Sequence, residues 1–445
     1  MRHRPLQSWW LALAAIAWLQ AVPASAQRVA GPYAGLFGAD PARDGNGQEF
    51  EFRGSLFGSR DNVTTRANDR ALAVPDQQEP APGPLGSTPW FLTSNSSAGA
   101  GAELAYFRRS DAVRIAAAGS SETSVYPEAD NFVAPAHSGN GSLDFDLGSH
   151  VVIRATGSGS YSSFTYFAPF IAATAGSPSL LTPGVGFASG PQRNTRLAAG
   201  TGAAVTLTRR STLTADADWS EWRFLDSPDD TVETRGARGA LTYRLTRALG
   251  LRVGYGYQKG RYNVANLESA TLRTIDAGID YGDTLEFARR TALTFSTSTS
   301  AVQIANDTHY RVEGNATLSR GFARTWSSAL IYARTTSFVA GFREPILADA
   351  VSADVNGLLS RRLMWLTDVG YSHGNVGFGS GNTFESLSAT SRLEFALTGR
   401  LAVYGQYGYY HYRLPAGWTS VAVVPRLARQ TVTAGLALWL PIINK

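Results

Sequence analysis

Cysteine is missing from all 445 residues, and with it go a disulfide framework, a thiolate metal site and a lipid-modified N-terminal thiol after export. Charge is thin, at 17% of the chain, which suits the surface of a soluble enzyme poorly. Beyond the N-terminal stretch no run of about 18 apolar residues occurs, so a helical membrane protein is excluded. Catalytic punctuation is missing as well: no nucleophile-elbow glycines, phosphate-cradling loop or EF-hand loop stands out. The histidines His137, His150, His309, His373 and His411 lack metal-ligand spacing. No enzyme activity, metal or cofactor is therefore expected.

What is present begins with an export leader. Arg2 and Arg4 give a positive start, Trp9 to Val22 are apolar, and Ala24-Ser25-Ala26 supply the small residues a signal peptidase needs. This predicts a signal peptide over 1–26 and a mature chain from Gln27. Losing Arg2 and Arg4 with the leader leaves 38 basic against 35 acidic residues, a net of +3, too little to argue for nucleic acid. Glycine is plentiful, at 45 residues, and aromatics make 11% of the chain, a balance that suits short strands with aromatic girdles.

The organising signal is alternation, since a strand sends successive side chains to opposite faces. Val432, Ala434, Leu436, Leu438 and Leu440 share one face near the C-terminus, with Thr431, Thr433 and Gly435 on the other. Leu393 and Phe395 oppose Arg392 and Glu394; Ile275, Ile279 and Tyr281 oppose Asp276 and Asp280; Leu143, Phe145 and Leu147 oppose Asp144 and Asp146. Such segments number about 18, within about two either way. Short turns at Arg108-Arg109, Gly148-Ser149, Arg209-Arg210, Thr246-Arg247, Arg289-Arg290, Arg320-Gly321, Arg361-Arg362 and Gly399-Arg400 alternate with longer loops that would face outside, among them Asp61 to Ser96, Ser121 to Gly139 and Ser162 to Asn194. That is a hairpin ladder. The fold expected is all-β, a closed antiparallel transmembrane β-barrel of roughly 16 to 20 strands in the outer membrane of a diderm bacterium. Its parts are a short periplasmic segment over 27–47, the barrel over 48–440 and a tail over 441–445. A soluble sandwich would bury one apolar face in a core, whereas here the opposite face carries too many charges to be an outer surface alone.

The same parity assigns an inner wall. Its candidate pore-lining residues are Arg53, Glu103, Arg114, Asp144, Asp146, Arg154, Arg196, Asp216 and Asp218 in the first half of the chain. The second half adds Arg252, Asp276, Asp280, Arg311, Glu313, Asp354, Asp368, Arg392 and Glu394. Both signs face a lumen wide enough to conduct unless loops fill it, and they set a transverse field for solutes or simply pair across strands. In the loop after Ser162, the run Phe164-Thr165-Tyr166-Phe167-Ala168-Pro169-Phe170-Ile171 is too apolar for a free external loop. Phe164, Tyr166, Phe167 and Phe170 are candidates for a constriction, for packing on neighbouring loops or for an oligomer contact. Arginine in most short turns predicts a basic rim at the periplasmic end.

The last strand, Thr433-Ala434-Gly435-Leu436-Ala437-Leu438-Trp439-Leu440, resembles the C-terminal signal by which outer-membrane proteins engage the barrel assembly machinery, with Thr433, Gly435, Leu438 and Leu440 in its key places. It departs in lacking a terminal aromatic and in carrying Pro441-Ile442-Ile443-Asn444-Lys445 behind. Gly54-Ser55-Leu56-Phe57 running into Asp61-Asn62-Val63, and Tyr243-Arg244-Leu245-Thr246-Arg247-Ala248-Leu249-Gly250-Leu251 leading to Gly254-Tyr255-Gly256-Tyr257, resemble the β-barrel porin families found beside exopolysaccharide export machinery. The resemblance implies a channel or export role. The function expected is a porin-like channel for hydrophilic solutes or polysaccharide, with outer-membrane lipids, the assembly machinery and polysaccharide export components as partners. A non-conducting scaffold of a polysaccharide secretion complex is the alternative. An outer-membrane hydrolase is the minor one, because a Ser/His pair assembled across a barrel leaves no mark in a sequence.

Overall fold

A computed structural model describes residues 47–64, 95–166, 188–190, 192–226, 231–262, 269–284, 291–304, 307–322, 325–339, 342, 344–377, 382–414 and 426–444. Chain order gives β1 (Gly47–Thr64), β2 (Asn95–Arg109), β3 (Val113–Tyr126), β4 (Phe132–Leu147), β5 (Val151–Ser162), β6 (Thr165–Tyr166), β7 (Ala188–Gly190), β8 (Asn194–Thr206), β9 (Ser211–Phe224) and β10 (Val232–Arg244). There follow β11 (Leu249–Tyr262), β12 (Ala270–Thr284), β13 (Thr291–Ile304), β14 (Asp307–Phe322), β15 (Trp326–Ser337), β16 (Ile346–Ser360), β17 (Leu363–Val376), β18 (Thr383–Ala396), β19 (Leu401–Arg413) and β20 (Arg426–Asn444).

Each strand pairs antiparallel with its sequence neighbour, except that β6 and β7 form a separate two-stranded ladder and β5 pairs with β8. The other 18 form one sheet, and β1 pairs with both β2 and β20. The sheet therefore closes on itself and has no edge strand. Register carries one face round the whole ring. Arg53 stands opposite Glu103, Glu103 opposite Ser120, and on the far side Gln406 opposite Thr433 and Thr433 opposite Ser59.

The two faces differ in crowding. Leu56, Val253 and Val312 on one parity are 60%, 65% and 63% exposed, while Asp144, Arg252 and Glu394 on the other are buried. A closed wall is convex outside and concave inside, so the crowded polar parity is the interior. Leucines, valines and tyrosines exposed from β1 to β20 make an outer apolar surface far beyond the few hundred Å² a water-soluble monomer shows.

Two boundaries differ from expectation. Ser121 to Gly139 does not form a long loop: the β3–β4 ladder runs out to Tyr126 opposite Phe132, joined through a 3₁₀ turn at Pro127–Ala129. Asp130 and Asn131 take φ of 53° and 57°, a left-handed step that these two residue types tolerate and that closes the hairpin. The C-terminal residues are not a trailing tail, because β20 continues to Asn444. Proline cannot donate to a ladder, and the register shifts at just this point: Glu51 faces Pro441 while Phe50 faces Ile443, so Ile442 is the extra residue of a bulge.

Candidate functional site: inner wall and outer mouth

From β3 to β12 the inner face carries charges of both signs. Arg114 on β3 donates from Nη2 to Asp146 at 3.2 Å and lies 3.8 Å from Asp144, and Arg154 on β5 donates from Nε to Asp144 at 2.7 Å. Arg154 stands opposite Gly202, Gly202 opposite Asp216, and Asp216 opposite Arg238. The glycines make room, since a Cβ at Gly202 would displace Asp216 Oδ1, and one at Gly236 would displace Asp218 Oδ1. Each carboxylate lies across its neighbour's missing side chain. Arg252 on β11 donates to Asp280 Oδ1 at 2.7 Å and to Ser296 Oγ at 2.7 Å. Arg196 places its guanidinium 5.6 Å from the Trp222 ring.

The rest of the ring is arranged differently. Glu313 accepts from Ser300 Oγ at 2.8 Å, and Arg311 stands opposite Ser300. Asp354 and Asp368 face each other directly across the β16–β17 ladder, a like-charge pair at neighbouring positions. On β18 Arg392 pairs with Glu394 and stacks over Tyr404, its guanidinium carbon 3.8 Å from the ring centre. Within β1 Arg53 meets Glu51 at 3.1 Å, with Glu103 of β2 opposite. The wall thus carries ion pairs on β3–β5 and β11–β12 and a facing pair of carboxylates on β16–β17.

All the pore-lining candidates occupy inward register positions; the Asp276 side chain is outside the described residues. Missed inward charges include Arg238, Glu122, Asp61 and Arg429. The last two lie 3.8 Å apart and almost fully buried beside the β20–β1 seam. Thr433 and Gly435 of the assembly-signal candidates face inward, and Leu438 and Leu440 outward. A Cβ at Gly435 would strike the Leu56 carbonyl oxygen on β1 and meet Tyr404 Oη at 2.8 Å. That glycine is the floor on which the Arg392–Tyr404 stack rests.

At the end of the longer connections the one constriction candidate whose side chain is described packs on a neighbouring hairpin, one of the placements expected for it. Phe164 does not reach across: it packs edge-on against Tyr126 and Phe132, with centroids 6.0 and 5.9 Å away, at the tip of the β3–β4 hairpin. Asn194 Nδ2 holds its carbonyl at 2.8 Å. Phe167, Phe170 and the Tyr166 side chain lie outside the described residues. Instead the β15–β16 connection turns inward. Phe338 reaches β11, four strands from its own, where a Cβ on Gly260 would meet Phe338 Cε1 at 2.5 Å and the Tyr262 ring lies 6.1 Å away.

Val339 and Phe342 from this loop join Phe224, Val232 and Tyr262 on β9–β11 to Tyr410, Tyr412 and Leu427 on β19–β20 in one buried apolar cluster. β10 and β19 are nine strands apart in either direction round the ring, so the cluster bridges opposite walls. Pro345 accepts from the amide of Gly377 at 2.9 Å, and the Glu344 carboxylate lies where a Gly377 Cβ would be. Burial raises the Glu344 carboxyl above its ordinary range. The signal for this loop was Phe338, Val339 and Phe342 in a connection, the same kind of apolar run as 164–171.

At the same end Arg193 clamps Asp226, donating from Nε at 3.0 Å and from its backbone amide at 2.9 Å. The Arg193 hydrogen bonds hold the Asp226 carboxyl below the usual carboxylate range. On the outer face Ser121 Oγ lies 3.0 Å from His137 Nδ1, the pair a hydrolase would need. A catalytic base also needs an orienting group on its other nitrogen, and among the described residues no carboxylate or amide supplies one; the ring stacks on Tyr161 instead. Among the described residues no three His, Asp or Glu gather to hold a metal ion.

No protein-family model matches the chain, and no curated relative matches it. Solved structures similar to it include OpdL of Pseudomonas aeruginosa, at 10% identity and a TM-score of 0.40 over 89% of this chain and 99% of that one. OccAB4 of Acinetobacter baumannii is similar at 13% identity and a TM-score of 0.38, over 88% and 98%. The FrpB iron transporter of Neisseria meningitidis is similar at 9% identity and a TM-score of 0.41, over 87% and 66%.

Proposed function

We propose that this chain is an outer-membrane channel for hydrophilic solutes, narrowed at its outer mouth by the β15–β16 loop. One observation carries the reading: a closed ring of 18 strands turns an ionised face inward and an apolar, exposed face outward. In water that outer face would drive aggregation, whereas in hydrocarbon the closed ladder leaves no backbone group unpaired at an edge. Anionic and cationic side chains inside need solvent, so the interior is a wet passage. On this reading the leader over 1–26 is cleaved on export, the barrel assembly machinery takes Thr433, Gly435, Leu438 and Leu440, and outer-membrane lipids cover the belt.

The apolar layer at the mouth favours a second reading, a non-conducting scaffold, because a hydrophobic constriction stops ions by dewetting. Passage of polysaccharide, or partnership with its export apparatus, rests on the sequence resemblance alone. Single-channel recording of the purified protein in planar bilayers separates the two. Small stable steps in the parent, enlarged when 338–344 is replaced by a short Gly-Ser link, are expected of the channel. Silence in both proteins after verified insertion favours the scaffold.

A further inference from the structure

Three of the short turns are copies of one device. Leu207-Thr208-Arg209-Arg210, Leu245-Thr246-Arg247-Ala248 and Leu397-Thr398-Gly399-Arg400 close the β8–β9, β10–β11 and β18–β19 hairpins. In each the leucine amide donates to the carbonyl four residues on, at 2.9, 2.8 and 2.9 Å. The threonine Oγ1 accepts from the amide three residues on, at 3.0, 3.0 and 3.1 Å. The threonine fixes the turn, which frees its neighbours for another purpose.

Those neighbours are of two kinds. Leu207, Leu245 and Leu397 continue the outward parity of their strands and are 54%, 43% and 44% exposed. Arg209, Arg210, Arg247 and Arg400 stand just beyond them, exposed and without an ion pair among the described residues. Arg361 and Arg362 do the same in the β16–β17 turn, after the exposed Leu359. These four turns carry no acid, and the described residues of the other short turns carry one, Asp111 between β2 and β3. An outward leucine below and an arginine one step further out is the sequence of chemistries met on leaving hydrocarbon for a headgroup layer.

We propose that this rim is a collar for anionic phospholipid headgroups of the leaflet at the short-turn end. The proposal rests on the membrane-spanning reading above. Two observations favour lipid over a docked acidic macromolecule. The arginine turns are spread round the ring, on β8–β11 and again on β16–β19, as a surrounding leaflet requires, whereas a docked protein would select one arc. Each is coupled to an outward leucine, which lipid uses and an aqueous partner does not. Guanidinium groups suit the task because they bind phosphate oxygens in a fork and stay charged.

The test uses the full-length mature protein in nanodiscs of phosphatidylcholine alone or of phosphatidylcholine mixed with phosphatidylglycerol. Thermal unfolding should move to higher temperature in the anionic discs, and high salt should shrink the difference. The combined variant R209Q/R210Q/R247Q/R361Q/R362Q/R400Q should lose the difference and keep the parent's transition in phosphatidylcholine; lysine at the same six positions should retain most of it. Equal transitions for the parent in both discs, or a difference unmoved by salt, would overturn the collar without any variant. A shift produced by soluble polyglutamate and not by phosphatidylglycerol would reassign the rim to an acidic macromolecule. Failure of the parent to enter either disc would overturn the membrane reading itself, and the collar with it.

Discussion

Leu436 and Thr433 lie three positions apart on β20 and face opposite ways, Leu436 toward the apolar exterior and Thr433 toward Gln406 and Ser59 inside. Leu436→Lys places a charge in hydrocarbon and should destabilise the barrel by about 2–4 kcal/mol, whereas Thr433→Lys should be tolerated. Urea unfolding in vesicles checks this, and equal tolerance at the two sites would reverse the faces. A second prediction concerns Gly435, under the Tyr404 ring. Gly435→Val presses on the Leu56 carbonyl of the β1–β20 ladder as well as on Tyr404, so it should cost at least about 1–3 kcal/mol, read by the same unfolding assay. The third follows from the Arg193–Asp226 clamp. Its folded-state carboxyl is depressed, so the clamp's contribution is full above the ordinary carboxylate pKa and is lost as pH falls through the lower folded value. Hydrogen exchange at the Arg193 amide should accelerate over that acid window in the parent, and Asp226→Asn should flatten the dependence. At this scale the sequence reads well wherever leucine opposes a charge. Arg238 escapes because Gly236-Ala237-Arg238-Gly239-Ala240 alternates glycine with alanine, and neither parity looks more apolar.

Among elements, strands were more legible than connections, for a physical reason. A strand repeats its message every second residue, while a connection is judged by composition alone. The apolar run at 164–171 and the one at Phe338, Val339 and Phe342 carry the same composition, yet Phe164 settles on the neighbouring β3–β4 hairpin and Phe338 crosses to β11. What decides between them is a notch at Gly260 on a distant strand, which no local pattern reports. The fourth prediction uses that notch. Gly260→Leu fills the seat of Phe338, so the loop should leave the mouth and single-channel conductance should rise several-fold, with the folded barrel retained. An unchanged conductance would mean that the loop does not limit flow. Pro441 misleads in the opposite direction: a proline suggests the end of a strand, but a bulge at Phe50 and Glu51 accommodates it and pairing continues to Asn444.

For the molecule as a whole, closure and wall chemistry act on different properties. On β3–β12 arginines stand among the inward carboxylates, whereas Asp354 and Asp368 face each other with Ala329 and Thr390 as their other ladder partners, so this pair should contribute to selectivity. Asp354→Asn combined with Asp368→Asn is therefore expected to lower the preference for cations in reversal-potential measurements under a salt gradient, while removing a like-charge contact and leaving stability equal or higher. A preference that survives the double change would place selectivity elsewhere in the lumen.

The seam between β1 and β20 has a further consequence in time. It joins the segments of the ring farthest apart along the chain, over a register running from Glu49 opposite Asn444 to Thr64 opposite Ala428. Every other barrel ladder joins barrel strands that follow one another along the chain and can zip as a hairpin or across a connecting loop, whereas this one must wait for both ends. Folding should accordingly finish in a single late step, and until then two unpaired strand edges stand open. Removing the last residues of β20 should leave the hairpins formed but the cylinder unsealed, a species captured by proteases and chaperones, whereas a cut in the long outer connections should leave the closed ring standing.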